Sequence, residues 1–417
     1  MEFVVRNLFR RRSTAQDVQL APIDALIKEY VEKFDRRNWP DVTVRTSDFL
    51  ERYPNDTILL IEGIIRGIPD CGTALRDLVD RLTEDEFGRM VDIALDQYAL
   101  APSPSAEKAV HLANERSIAS LYPRLERVFQ SRINQTCYYG LWPFRGATAL
   151  DTLFLRPIVD NATLPAEART RAWRALVETR DPDCLRYALS IASTVPLPKP
   201  VDDYLQRIGF EREGGVVRQL YPSTVYTILF DDKHSDLAPL DGHDTVFGGV
   251  CTSGHCLACG SALDRVLTLD RVPEGLGVSG LSTLSLATCL QCLGWEIERF
   301  FYRHGVDGEP THIAYDGGHV EPQFPTDPFD VRLVRLASTP SGRKWDNVTR
   351  LGGFPNWEQE PEFLSCPECS RTMPFLLQVT SGHANGSNSC VEFGDGGLAY
   401  VSWCDGCRIS GWTWQCT

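Results

Sequence analysis

Four Cys-x-x-Cys pairs constrain this chain more than any other feature: Cys256/Cys259, Cys289/Cys292, Cys366/Cys369 and Cys404/Cys407. Each pair offers two thiolates from one tight turn, and two pairs complete a tetrahedral four-sulfur site of the kind that holds zinc. Spacing indicates which pairs join. The first two pairs are separated by 29 residues (260 to 288) and the last two by 34 (370 to 403), and both intervals span apolar runs such as Val266-Leu267-Thr268-Leu269. Joining Cys289/Cys292 to Cys366/Cys369 would instead need an excursion of 73 residues. The pattern therefore predicts one zinc-ribbon-like, four-cysteine unit built twice. Four thiolates close the coordination sphere, so the two expected zinc ions are structural, with iron–sulfur as the lesser alternative.

The chain has 417 residues, too many for one ordinary core, and implies two or three domains. Its 43% hydrophobic and 24% charged content is that of a soluble globular protein. No apolar run approaches the 18 or so residues of a membrane helix, and no apolar stretch follows the N-terminal arginines as in a signal peptide. Fourteen cysteines in such a chain point to a reducing, cytoplasmic setting and to metal rather than disulfides. The net charge is -14. From Asp241 onward there are 11 basic and 21 acidic side chains, against 31 and 35 before it. Zinc ribbons that grip nucleic acid need a basic surface, because phosphate contacts supply most of their affinity. The acidic balance speaks against that partner and suits a protein.

Residues from about 20 to 210 carry helical periodicity. Ile23, Leu26, Ile27, Tyr30, Val31 and Phe34 make one face; a second helix starts near Asp56-Thr57; Thr83-x-x-Glu86 has the form of a capping box. A longer run from Ala106 to Gln130 is expected to break at Pro123. Two amphipathic segments joined by Asp181-Pro182 resemble a HEAT-type pair. Pro196, Pro198 and Pro200 end the helices, and Ser223 to Phe230 and Val331 to Leu336 read as strands. The expected fold is α+β, with a helical, HEAT-like domain over 1–210 and a duplicated β-rich domain over 211–417. The latter divides into unit one (248–305), a connector (306–350) and unit two (351–417). Each unit opens on a Gly-Gly pair, Gly248-Gly249 and Gly352-Gly353.

Other residues invite chemistry less strongly. Cys71, Cys137, Cys184, Cys251, Cys390 and Cys416 fall outside the knuckles and read as small buried or free thiols. Cys251-x3-His255-Cys256 could distort a metal site, and with His243 it is the only opening for a metalloenzyme; a surface histidine is the simpler account of His255. No nucleophile elbow, phosphate loop or paired-histidine motif accompanies the histidines between 234 and 383. Gly394-Asp395-Gly396-Gly397 reads as a tight turn into the strand Leu398 to Trp403. The aromatic residues Phe354, Trp357, Phe393, Tyr400, Trp403, Trp412 and Trp414 serve a β core or line a peptide groove.

The segments Leu351-Gly352-Gly353-Phe354-Pro355-Asn356-Trp357-Glu358-Gln359, Phe375 to Val379 and Gly394 to Tyr400 resemble the YwqG-like family. That family belongs to the TYPP group with Tsr4 and the programmed-cell-death-protein-two-like proteins. The resemblance covers about 351–417, with Gly248 to Trp295 fitting as a degenerate first half that lacks the later Pro and Gln. It implies a non-enzymatic, protein-gripping role, such as the toxin-immunity factor proposed for bacterial relatives or a client chaperone or adaptor. By the same carry-over, Phe354, Trp357, Gln359 and Gln378 would lie near the groove for a client or toxin. The alternatives from other classes are a nucleic-acid-binding ribbon protein and, less favoured, a metalloenzyme.

Overall fold

A computed structural model describes residues 22–32, 39–71, 74–133, 141–230, 239–240, 244–313, 317–321, 331–339, 349–382 and 392–416. It combines helix and sheet and divides into two bodies, Met1–Pro198 and Lys199–Thr417. The division precedes the short helix Val201–Arg207, which periodicity alone groups with the first half.

The first body is helical, and local chemistry explains its element ends. Thr83 caps Glu84–Leu100 with a full capping box: its hydroxyl accepts from the Glu86 N–H and its own N–H donates to the Glu86 carboxylate. Pro123 does interrupt the following run. Pro104–Arg116 ends at Ser117, a short helix Ile118–Leu121 runs into the 3₁₀ turn Tyr122–Arg124, and Leu125–Ser131 resumes. The Asp181 carboxylate accepts from the Asp183 and Cys184 N–H groups and starts Pro182–Ile191 after Ala166–Glu178. Trp173, wholly buried, fastens these two helices by donating its indole N–H to the Ala188 carbonyl at 2.8 Å.

The second body is a β structure. A hairpin of β1 (Phe210–Glu213) and β2 (Val216–Gln219) stands apart from a twelve-stranded sheet. The sheet strands are β3 (Val225–Leu229), β4 (Thr245–Phe247), β5 (Val250–His255), β6 (Ala262–Leu269), β7 (Leu284–Thr288) and β8 (Arg299–His304). They continue as β9 (Pro310–His312), β10 (Arg332–Thr339), β11 (Arg350–Gly352), β12 (Phe375–Thr380), β13 (Leu398–Cys404) and β14 (Ile409–Gln415). Their order is β5-β6-β4-β10-β3-β11-β12-β13-β14-β8-β9, with β7 also paired to β6. The sheet is ordered alike on both sides of the β10–β3 pair: β4, β6 and β7 follow on one side, β11, β12 and β13 on the other.

Strands β3, β7, β11 and β13 are buried at every residue, including the polar Thr227, Ser285, Thr288, Arg350 and Ser402. The glycine pairs make the bends. Gly352 has φ +66°, and a Cβ there would come within 2.1 Å of the Thr224 carbonyl oxygen, so β11 approaches the start of β3 only because this residue is glycine. Gly397 is equally tight, its missing Cβ falling 2.0 Å from the Gln415 carbonyl, which lets the Gly394–Gly397 turn feed β13. The largest core gathers Leu267, Leu286, Phe300, Tyr302, Leu377, Val401 and Trp412.

Candidate metal centres

The eight knuckle cysteines meet as two groups of four in the pairing that spacing predicts: Cys256, Cys259, Cys289 and Cys292, then Cys366, Cys369, Cys404 and Cys407. Within each group the sulfurs lie within 4.8 Å of one another, and all eight are free thiols. Four sulfurs about 2.3 Å from a common zinc ion stand about 3.8 Å apart. The Cys259–Cys289 and Cys369–Cys404 Sγ separations are 3.6 and 3.7 Å. Donor chemistry and spacing both fit a tetrahedral soft-metal ion held entirely by protein.

The knuckles are formed by local backbone bonding. In the first, the Cys256 N–H donates to the Ser261 carbonyl and the Gly260 N–H to the Cys256 carbonyl, both at 2.8 Å, with Gly260 at φ +78°. The third knuckle repeats this: the Cys366 N–H donates to the Arg371 carbonyl and the Ser370 N–H to the Cys366 carbonyl, both at 2.9 Å, with Ser370 at φ +57°. Each turn leaves its two thiols on one side, where the knuckle after β7 or β13 supplies the other two.

Hydrogen bonds and burial set the acidity of the thiols. In the first cluster Cys256 accepts from Cys289 and Cys292 and is driven far down, while Cys289, the donor, is driven up. In the second, the Arg371 N–H holds Cys369 at about 6, and burial lifts Cys404 to about 12. A metal ion bound here would displace the remaining thiol protons.

Supporting groups differ between the clusters. Around the first, the His312 Nδ1 accepts from the Leu257 N–H at 3.0 Å, its ring set against Phe300 and Tyr302 with centroids 4.9 Å from each. The buried Asp264 carboxylate accepts from Leu290 N–H at 2.9 Å, bracing the second knuckle, and burial raises its pKa to about 6. Around the second, Asp405 lies between the two ligands of its knuckle and accepts from the N–H and hydroxyl of Ser279. Sequence reasoning missed His312, Asp264 and Asp405. Asp405, inside Cys404-x-x-Cys407, was the one with a signal; the other two act through contacts that spacing does not encode.

Residues singled out beside the clusters have other roles. Cys251 is buried, 3.8 Å from a Glu309 carboxylate oxygen and 3.9 Å from Arg265, and burial pushes its thiol up; it joins neither group. His255 is exposed at the end of β5, and His243, Cys137 and Cys390 lie outside the described residues. Cys71 and Cys184 are buried free thiols, and Cys416 is half-buried.

Of the expected client-groove residues, Gln378 is fully buried, and its side-chain Oε1 accepts from the Asn356 N–H at 2.8 Å. Trp357 is buried with its ring 4.4 Å from that of Tyr400. Phe354, half-buried, packs edge-on to Tyr221, and Gln359 bridges to Gln415 and the Cys416 carbonyl. Gln378 and Trp357 order the 352–359 segment from inside. Phe393, Tyr400, Trp403 and Trp412 are likewise core.

No protein-family model, curated protein or solved structure matches this chain. No described helix is long and apolar enough to cross a membrane.

Proposed function

We propose that this chain is a zinc-stabilised protein-binding module of the YwqG-like kind, acting in the cytoplasm as a toxin-immunity factor or as a client chaperone or adaptor. The observation that carries the reading is the closure of both cysteine clusters. All four donors of each come from the ends of paired strands, so the ions fasten a framework and leave no position for a substrate. The acidic balance of the chain from Asp241 onward favours a protein over a nucleic acid as the partner.

We also read the β body as a duplication, and strand register supports it. A shift of 110 residues carries Cys256/Cys259 onto Cys366/Cys369 and the His255–Ala262 pair onto the Ser365–Thr372 bridge. The same shift carries the register irregularity of β6, between Arg265 and Leu267, onto that of β12, between Phe375 and Leu377. A shift of 115 carries Leu286 onto Val401 and Cys289/Cys292 onto Cys404/Cys407. The repeats then begin at β3 and β10, so the last part of the expected connector opens the second repeat. Each first strand pairs into the other repeat, β3 with β11 and β10 with β4. In the helical body, Ala166–Glu178 with Pro182–Ile191 and Glu84–Leu100 with Pro104–Arg116 are the pairs of a HEAT-like reading.

The test is capture of partners by the full-length, zinc-loaded protein after nuclease treatment, followed by reconstitution from purified components. A single protein binding in a fixed ratio, and released when the metal is chelated, is expected. Recovery of nucleic acid in place of protein would overturn the reading.

A further inference from the structure

Two buried donors near β11 have no acceptor among the described residues. Arg350, on β11, is 6% exposed; one of its Nη atoms donates to the Phe354 carbonyl, while its Nε, fully shielded from solvent, has no partner. No carboxylate pairs with it among the described residues. Trp357 is 5% exposed, and its indole N–H is also without an acceptor. Both belong to one neighbourhood. Tyr400 stacks on Trp357, donates its hydroxyl to the Asn356 carbonyl at 2.8 Å, and is the ionisable group acting on the Arg350 charge. Burial lowers the Arg350 pKa only to about 10, so the guanidinium is a cation at neutral pH. A charge removed from water without a counter-charge is costly, and the deficit is relieved by whatever anion can enter.

We propose that Arg350 and Trp357 form a binding site for a carboxylate, the guanidinium supplying charge and one hydrogen bond and the indole N–H a second. A planar carboxylate matches a guanidinium edge. The segment that follows carries Glu358, Glu360 and Glu362, whose charges disfavour a dianion such as phosphate. Phe354 and Asn356, in the same segment, are both half-buried. The proposal deepens the protein-binding reading by naming the group a partner must bring, an Asp or Glu side chain or a chain-terminal carboxylate.

The test uses acetate and no partner, so it can fail while partner capture succeeds, and the reverse. Thermal midpoints of the full-length, zinc-loaded protein are measured in sodium acetate and sodium chloride at equal ionic strength. A midpoint that rises with acetate concentration above the chloride baseline is expected for the native protein and is lost in Arg350→Gln. Should Arg350→Gln fail to fold, Trp357→Phe keeps the ring and the Arg350–Phe354 bond and is expected to weaken the acetate response about tenfold. Equal responses to acetate and chloride, as a trapped water would give, overturn the site; so does an acetate response that Trp357→Phe leaves intact. A larger response to phosphate than to acetate overturns the carboxylate assignment. Given acetate binding, matched peptides with free-acid and amide ends separate a chain-end source from a side-chain one.

Discussion

The two cysteine clusters share ligands, spacing and knuckle turns, yet they are bedded differently. Cys256, Cys289 and Cys292 are part of the main core of the β body, in contact with the residues that fill the sheet. Cys366 and Cys404 belong to a small satellite with Leu364, Met373 and Ile409, and two of the four ligands there, Cys369 and Cys407, are half-buried. In the first cluster only Cys259 is so exposed. Identical coordination chemistry therefore has unequal consequences. The first ion would hold the core itself, whereas the second would hold a hairpin end.

The largest expected difference follows from that inequality. A structural zinc contributes on the order of 10 kcal/mol of apparent folding free energy. Cys289→Ser should remove the cooperative transition of the β body, because its ligand is wholly buried in the main core. Cys407→Ser should leave that transition in place, in line with a peripheral lesion. Equal losses by chemical denaturation would abolish the distinction. Chelation gives a second measure: two metal equivalents should leave in two phases, with Cys369 and Cys407 the first thiols to react. A single phase would mean that the clusters exchange as one.

How much of this was legible in the sequence depends on the range of the interaction. Cys-x-x-Cys spacing fixed the ligand sets because a knuckle is a local turn, and the Thr83 capping box was legible for the same reason. The β3–β10 pairing was not, since Leu229 and Arg335 meet over a separation that no periodicity records. Gln378 looked like a strand residue for a partner to read. It is instead a buried bracket, because its register partner Arg350 begins the segment whose N–H at Asn356 it accepts. A boundary near 210 assigns Val201–Arg207 to the helical half for a compositional reason: the prolines before that helix mark the division, not the end of helix.

His304 tests whether the satellite can be loosened without touching a ligand. Its ring is buried, packs on Trp403 at 5.1 Å, accepts from the Ser410 hydroxyl through Nε2 at 2.8 Å, and donates from Nδ1 to the Gly308 carbonyl. Burial lowers its pKa to about 4, against about 6.5 for a free histidine. The folded state thus binds fewer protons than the unfolded state between those values. The stabilisation is complete above about 6.5 and is lost as pH falls toward 4, for a total of roughly 3 kcal/mol. Urea titrations from pH 7 to 4 should show this slope, reduced in His304→Gln; an unchanged slope in the variant would assign it to the thiolates.

The smallest effect concerns Asp405, inside the last knuckle of the second cluster. The loop between β6 and β7 crosses to Asp405, whose carboxylate accepts from the Ser279 N–H at 2.7 Å and from its hydroxyl, and from the Trp403 indole at 3.2 Å. Against the upward push of burial, the Ser279 bonds hold the Asp405 carboxyl below the usual range. The same loop packs Leu276 over Gly352 and accepts the Tyr226 hydroxyl at the Glu274 carbonyl. Asp405→Ala should cost roughly 1–3 kcal/mol, the value of charge-assisted bonds to a half-exposed group. Hydrogen exchange should quicken from Leu276 to Leu281 and stay unchanged at the Cys289 knuckle. Chelating the second ion alone should free the same amides, because Asp405 is positioned by the ligands on either side of it. If the loop stays protected after that chelation, its hold on Asp405 does not depend on the second ion.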